Sequence, residues 1–86
     1  MKTTEIIKET ALMPIDGRKS FYGKAVILHT ADAVILKSYE TNVCAIVNGE
    51  FIRMWNKYNA TTMRHINAFR AKYKLPPISK AEWLKL

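Results

Sequence analysis

The chain has 86 residues, 49% of them hydrophobic and 10% aromatic, and fourteen Lys/Arg against seven Asp/Glu leave a net charge of +7. This is matter for one domain, residues 1–86, with one core that buries roughly 60–65% of the unfolded chain's surface; it excludes a disordered chain and a second core. A lone cysteine, Cys44, excludes a disulfide scaffold, and its place in the apolar run Val43–Val47 reads as a small buried hydrophobe rather than a nucleophile.

Thr3 to Met13 fits neither a clean helical nor a clean strand period, and residues 1–13 are read as either an edge element or a mobile arm. Their acidic groups and lack of a long apolar stretch are not those of a secretory leader, and none is expected. The longest apolar runs, 25–28 and 43–47, are too short to span a bilayer, so a cytoplasmic protein that does not engage membranes is expected. Pro14-Ile15-Asp16-Gly17 is turn chemistry, followed by the polar aromatic segment Arg18 to Lys24.

Lys24 to Thr30 is a continuous β-branched and apolar run and predicts a buried strand. Val34 to Tyr39 predicts the next, Glu40-Thr41-Asn42 a turn or bulge, and Val43 to Val47 a third strand. Asn48-Gly49 between apolar runs is the favoured pair for a two-residue turn with positive φ at both positions. Glu50 to Trp55 then returns antiparallel, with Phe51, Arg53 and Trp55 on one face and Glu50, Ile52 and Met54 on the other.

A helix is predicted after Tyr58. Asn59, Thr61 or Thr62 caps its free N–H groups, and Thr62, Ile66, Phe69 and Tyr73 form a core stripe opposite Arg64, Asn67, Ala71 and Lys74. Leu75-Pro76-Pro77 ends it, and Ser79-Lys80-Ala81-Glu82 is a capping box opening a short helical turn with Trp83 and Leu84. The fold class is α+β: an antiparallel meander of about four strands packed by one amphipathic helix, with a short C-terminal helical turn.

Charge is uneven. Residues 1–43 hold six basic and five acidic groups, and residues 44–86 hold eight basic and two acidic. The asymmetry favours an anionic partner for the second half, whether nucleic acid (DNA or RNA), an acidic protein surface or anionic lipid, against the plain reading that lysines keep a small basic protein soluble. The candidate nucleic-acid contacts are Arg53, Lys57, Arg64, Asn67, Arg70 and Lys74, interleaved with Trp55, Tyr58 and Tyr73 and joined by Lys72. Arg18 and Lys19 form an outlying patch with Lys24, Phe21 and Tyr22. Lys and Arg would meet phosphate and Asn67 would read a base, while the aromatics Trp55, Phe69 and Tyr73 read first as core. The competing class is a protein-interaction module, either an accessory or inhibitor protein acting on another protein of its host or a homodimer through a sheet edge.

Catalytic and metal chemistry find little footing. His29, His65 and Cys44 lack metal-ligand spacing, no glycine-flanked nucleophile elbow surrounds Ser20 or Ser38, and no paired carboxylates or phosphate-cradling glycines occur. No metal, no cofactor and no enzymatic activity are expected. The Thr61-Thr62-Met63-Arg64-His65 cluster reads either as an anion site or as an ordinary helix start.

Three segments, 16–25 (Asp-Gly-Arg-Lys-Ser-Phe-Tyr-Gly-Lys-Ala), 36–43 (Leu-Lys-Ser-Tyr-Glu-Thr-Asn-Val) and 58–69 (Tyr-Asn-Ala-Thr-Thr-Met-Arg-His-Ile-Asn-Ala-Phe), carry a family resemblance. They resemble small uncharacterised proteins of gut Firmicutes and of their phages and mobile elements. In those a sheet precedes a helix of pattern Y-S-x-T-T-x-R-H-I-N-x-F. The resemblance spans residues 15–83, and Asn59 replaces Ser while keeping an N-cap. It implies a small cytoplasmic domain, carried in part by phage, and transfers no activity.

Overall fold

The computed structural model describes residues 6–13, 21 and 23–86. Among them, β1 (Lys8–Ala11), β2 (Ala25–His29), β3 (Ala33–Ser38), β4 (Thr41–Val47) and β5 (Glu50–Arg53) form one antiparallel sheet in sequence order. Helices α1 (Ala60–Lys72) and α2 (Lys80–Lys85) follow. The class is α+β as expected, with five strands rather than about four.

The added strand is β1, from the segment whose pattern fits either an arm or an edge. Its own residues, Lys-Glu-Thr-Ala, carry no strand signal. Pairing supplies it: Ile7 N–H donates to His29 O at 2.7 Å and Leu12 N–H to Ala25 O at 3.0 Å, and the Leu12 side chain is buried. A neighbour's free edge overrides a weak local preference. The Asp16-Gly17 turn and the Arg18–Lys19 patch lie outside the described residues.

Asn48 and Gly49 have φ of 52° and 84°, the two positive values the β4–β5 turn demands. The β3–β4 turn falls on Tyr39-Glu40, not on 40–42, because β4 starts two residues earlier than its apolar run. The extra length is absorbed by a bulge: Leu36 pairs with Cys44 and Lys37 with Asn42, leaving Val43 without a cross-strand partner. The Val43 carbonyl instead accepts from Met54 N–H at 2.9 Å, and its side chain is fully buried.

Register fixes what each face carries. Ile27, Leu36, Cys44 and Phe51 lie on the helix side with Phe69, Ile66 and Trp83, and these make the core. The reverse side carries the row Glu9, Leu28, Ile35, Ala45 and Ile52. Leu28 and Ala45 are buried there yet stand apart from the helix-side core cluster. As the alternation predicts, Phe51, Arg53 and Trp55 are half-buried while Glu50, Ile52 and Met54 are exposed.

Asn59 caps α1: its side-chain oxygen accepts from the N–H groups of Thr61 at 2.9 Å and Thr62 at 3.2 Å. Thr62, Ile66 and Phe69 are buried and Tyr73 packs on the core, as the stripe predicts. Tyr73 closes the helix, Lys74 follows at φ 65°, and Leu75 N–H returns to Arg70 O at 2.8 Å. Ser79 and Glu82 form the capping box of α2. That short helix delivers Trp83 into the core, while Leu84 stays exposed.

Candidate nucleic-acid interface

The basic residues of the second half separate into two groups. Arg53, Asn67 and Arg70 hold the C-terminal segment onto the sheet and α1. Arg70 Nε donates to Pro76 O at 2.8 Å, and its guanidinium lies 4.5 Å from the Phe51 ring centroid. Arg53 donates through Nη1 to Trp83 O at 3.1 Å and stacks over the Trp83 ring. Asn67 uses both ends of its amide: Oδ1 accepts from Ile78 N–H at 2.9 Å and Nδ2 donates to Ile78 O at 3.3 Å.

These three side chains therefore work inside the fold. In the expected face of Arg64, Asn67 and Lys74, the side-by-side donor–acceptor edge of the Asn67 amide, the one a base would need, is already paired with the Ile78 backbone. Arg70 is buried, and Arg53 half-buried. Trp55 and Tyr73 pack against the core and Phe69 is fully enclosed, so these aromatics are structural.

Lys57, Arg64, Lys72 and Lys74 are exposed. Between Glu50 and Glu82 the chain has no acidic residue and seven Lys/Arg, so nothing nearby in sequence cancels the field of the exposed cations. Arg18 and Lys19 fall outside the described residues.

The fold adds partners that charge counting does not single out. β1, β3 and β5 finish, and β2 and β4 begin, at one end of the sheet. The first turn of α1 is tied to that end by a hydrogen bond between the hydroxyls of Ser38 and Thr62, 3.2 Å apart. Tyr39, in the β3–β4 turn, is 46% exposed and has φ 57°. A positive φ on a bulky residue is strained, and here it holds the ring outward beside Lys24, whose Nζ is 5.8 Å from the ring centroid. Tyr58, 38% exposed, precedes the cap of α1 and carries Lys80 Nζ 4.8 Å from its ring. The backbone beside it is fixed, since Trp83 Nε1 donates to Lys57 O at 2.7 Å.

Beneath Tyr39 lies His65. Its ring is 5.7 Å from Tyr39 and 4.5 Å from Phe21, edge to face with the latter, and its Nδ1 is hydrogen-bonded to Ser38 Oγ at 2.8 Å. Burial, then the neighbouring Arg64 guanidinium, push its pKa below the ordinary histidine value. A serine beside a histidine has the makings of a nucleophile and its base, but both side chains are only 2% exposed, so a substrate has no approach. Cys44 is likewise enclosed, and burial pushes its thiol up to about 12 against a smaller opposing effect of Arg70. No group of three or more His, Cys, Asp or Glu that could hold a metal ion occurs among the described residues. No described helix is long and apolar enough to cross a membrane.

This end carries two outward rings, each beside a lysine, with Lys57 and Arg64 close in sequence to the helix cap and one exposed carboxylate, Glu40, next to Tyr39 and 3.9 Å from Lys37 Nζ. Tyr39 is hidden in the sequence because it follows an apolar strand run, and Lys80 because it sits inside a capping box.

A protein-family model described as a family of unknown function, DUF8033, matches residues 10–85. No curated protein and no solved structure matches the chain.

Proposed function

We propose that this chain, which belongs to the DUF8033 family, is a non-enzymatic module that binds single-stranded nucleic acid at the end of the sheet where α1 begins. The observation that carries the reading is the pairing of outward rings with cations, Tyr39 with Lys24 and Tyr58 with Lys80, beside a chain segment free of acidic residues. Lys57 and Arg64 supply further phosphate contacts. Such a surface meets a flexible backbone with its cations and offers ring faces on which bases stack without regard to sequence. Duplex reading by α1 is disfavoured because Asn67 is engaged and the outer helix face includes Ala60 and Ala71. A cytoplasmic location, and carriage by phages and mobile elements as the sequence resemblance implies, belong to the same proposal.

The test is fluorescence anisotropy of labelled single-stranded DNA, RNA and duplex DNA across a salt series. Single strands should bind with a Kd of roughly 10⁻⁴ to 10⁻⁶ M, falling log-linearly with salt at about 0.7 per phosphate contact. Replacing Lys57 and Arg64 together by alanine should lower the slope by about one to one and a half. Tyr39→Leu should weaken binding by about 1–3 kcal/mol with the slope unchanged. Absence of single-strand binding at low salt, or equal binding by all variants, overturns the proposal.

A further inference from the structure

We infer that Trp83 is a positioning residue for the proposed nucleic-acid site: from inside the core its indole N–H sets the Lys57–Tyr58 half of that site, while the Tyr39 half stands without it. The inference rests on the nucleic-acid reading and adds to it the residue that holds half of its geometry.

The two ring–lysine pairs are built on different parts of the molecule. Tyr39 and Lys24 are joined through the sheet: Tyr39 N–H donates to Lys24 O at 2.7 Å, next to the cross-strand pair Ala25 and Ser38. Tyr58 stands instead on the connection 54–59, which has no helix or strand of its own. Trp55 packs against the core near one end of this connection, and the Asn59 cap ties the other end to α1. Between them Asn56, Lys57 and Tyr58 are exposed. Among the described residues, these three make one hydrogen bond, Lys57 O accepting from Trp83 Nε1 at 2.7 Å. Trp83 also accepts, through its own carbonyl, from Arg53 Nη1 at 3.1 Å. One residue of α2 is thus bonded both to the residue before the connection and to the middle of it, and brackets the stretch that presents Tyr58. Lys80, on the same helix, then lies with its Nζ 4.8 Å from the Tyr58 ring.

A ring that only filled the core would need no donor. A buried indole N–H must find an acceptor, and this one goes to the stretch of backbone at the site that no other hydrogen bond holds. Backbone ordered before the ligand arrives spares binding that entropy cost, which is about tenfold in affinity for each residue otherwise left free. The bond depends on the seat of the ring in the core, where Trp83 is fully buried. It does not depend on the path of residues 76–78, so loosening that path at Asn67 leaves it in place.

Trp83→Phe keeps an aromatic ring in the core and removes the donor. Backbone amide relaxation measured by NMR needs no nucleic acid and reads the effect directly. In the wild type, residues 56–58 should have order parameters of about 0.85, the value of rigid backbone, although they lie in no helix or strand. In Trp83→Phe they should fall toward about 0.6, with those of residues 38–41 unchanged. Values below about 0.6 at 56–58 in the wild type overturn the inference without any variant. So do values that stay the same in Trp83→Phe. Binding then separates positioning from a general loss of stability. Against single-stranded DNA at low salt, Trp83→Phe should weaken affinity about tenfold in the wild-type and Tyr39→Leu backgrounds. In a background of Lys57→Ala with Tyr58→Leu, where the side chains it positions are gone, the loss should be less than about twofold. Equal weakening in all three backgrounds overturns the inference. A wild-type chain that binds no single strand removes the nucleic-acid reading, and relaxation alone then decides whether Trp83 holds this backbone.

Discussion

The Ser38 hydroxyl, at the end of β3, and Nδ1 of His65, on the second turn of α1, are 2.8 Å apart with both side chains buried. Thr62 completes the cluster through its contact with Ser38. This polar lock fixes where the helix starts relative to the sheet, and thereby the end of the molecule on which Tyr39, Tyr58 and their lysines are displayed. Buried polar groups of this kind cost stability when a partner is removed, so the lock specifies one docking of helix on sheet.

The lock makes stability pH-dependent. His65 in the folded chain has a pKa below its unfolded value, so between the two values the unfolded chain binds more protons. Its contribution is complete above about pH 6.5, the unfolded histidine value, and is lost as pH falls through the folded value. Urea unfolding at neutral and mildly acid pH should show a lower midpoint in acid for the wild type. In His65→Asn, which retains a polar side chain near Nδ1, that pH dependence should shrink. An equal acid loss in both proteins would remove His65 as its source.

Asn67 gives the sharpest contrast between a binding role and a structural one. Asn67→Ala strips both hydrogen bonds from the Ile78 backbone and loosens the segment that carries Trp83 into the core. The expected loss is about 1–3 kcal/mol of stability. Nucleic-acid affinity per folded molecule, and its salt slope, should be unchanged. A variant as stable as the wild type but altered in base preference would return Asn67 to the interface.

Much of this fold is legible in the sequence. Asn48-Gly49, the alternation from Glu50 to Trp55, the Asn59 cap and the Ser79–Glu82 box each encode local geometry through one residue type, and each stands where expected. β1 is not legible because its stability comes from the open edge of β2 rather than from Lys8–Ala11. Val43 looks like an ordinary strand residue because a bulge is a matter of register, set only once β3 and β4 pair. The candidate site is half legible. Charge locates the cations, but spacing on a helix wheel does not reveal that Asn67 and Arg70 face the returning segment 76–78, whose path depends on the two prolines and on Trp83 finding the core.

Cys44 should behave as an inert interior group. Its thiol, with a pKa of about 12, is neutral near pH 7 and wholly enclosed. Labelling by a thiol-reactive disulfide reagent should therefore be slow in buffer and rapid in denaturant, tracking opening of the sheet. Fast stoichiometric labelling of the native chain would show an access route and reopen the question of a reactive cysteine.

Lys74 presents a stability gain of known origin. It follows the Tyr73 cap at φ 65°, with its N–H bonded to Ala71 O at 3.0 Å and the next N–H, of Leu75, bonded to Arg70 O. This is the Schellman arrangement, in which the left-handed position favours glycine because a Cβ crowds the following carbonyl. Lys74→Gly should relieve about 1 kcal/mol of that strain, partly offset by a freer unfolded chain. A net gain of about 0.5 kcal/mol corresponds to a Tm rise of about 2–4 °C in a domain this small. Lys74→Ala is the control: it removes the same charge and keeps the strain, so it should not share the gain. Calorimetry of the three proteins decides the matter, because a glycine variant no more stable than the alanine variant would mean that the backbone at Lys74 stores no strain.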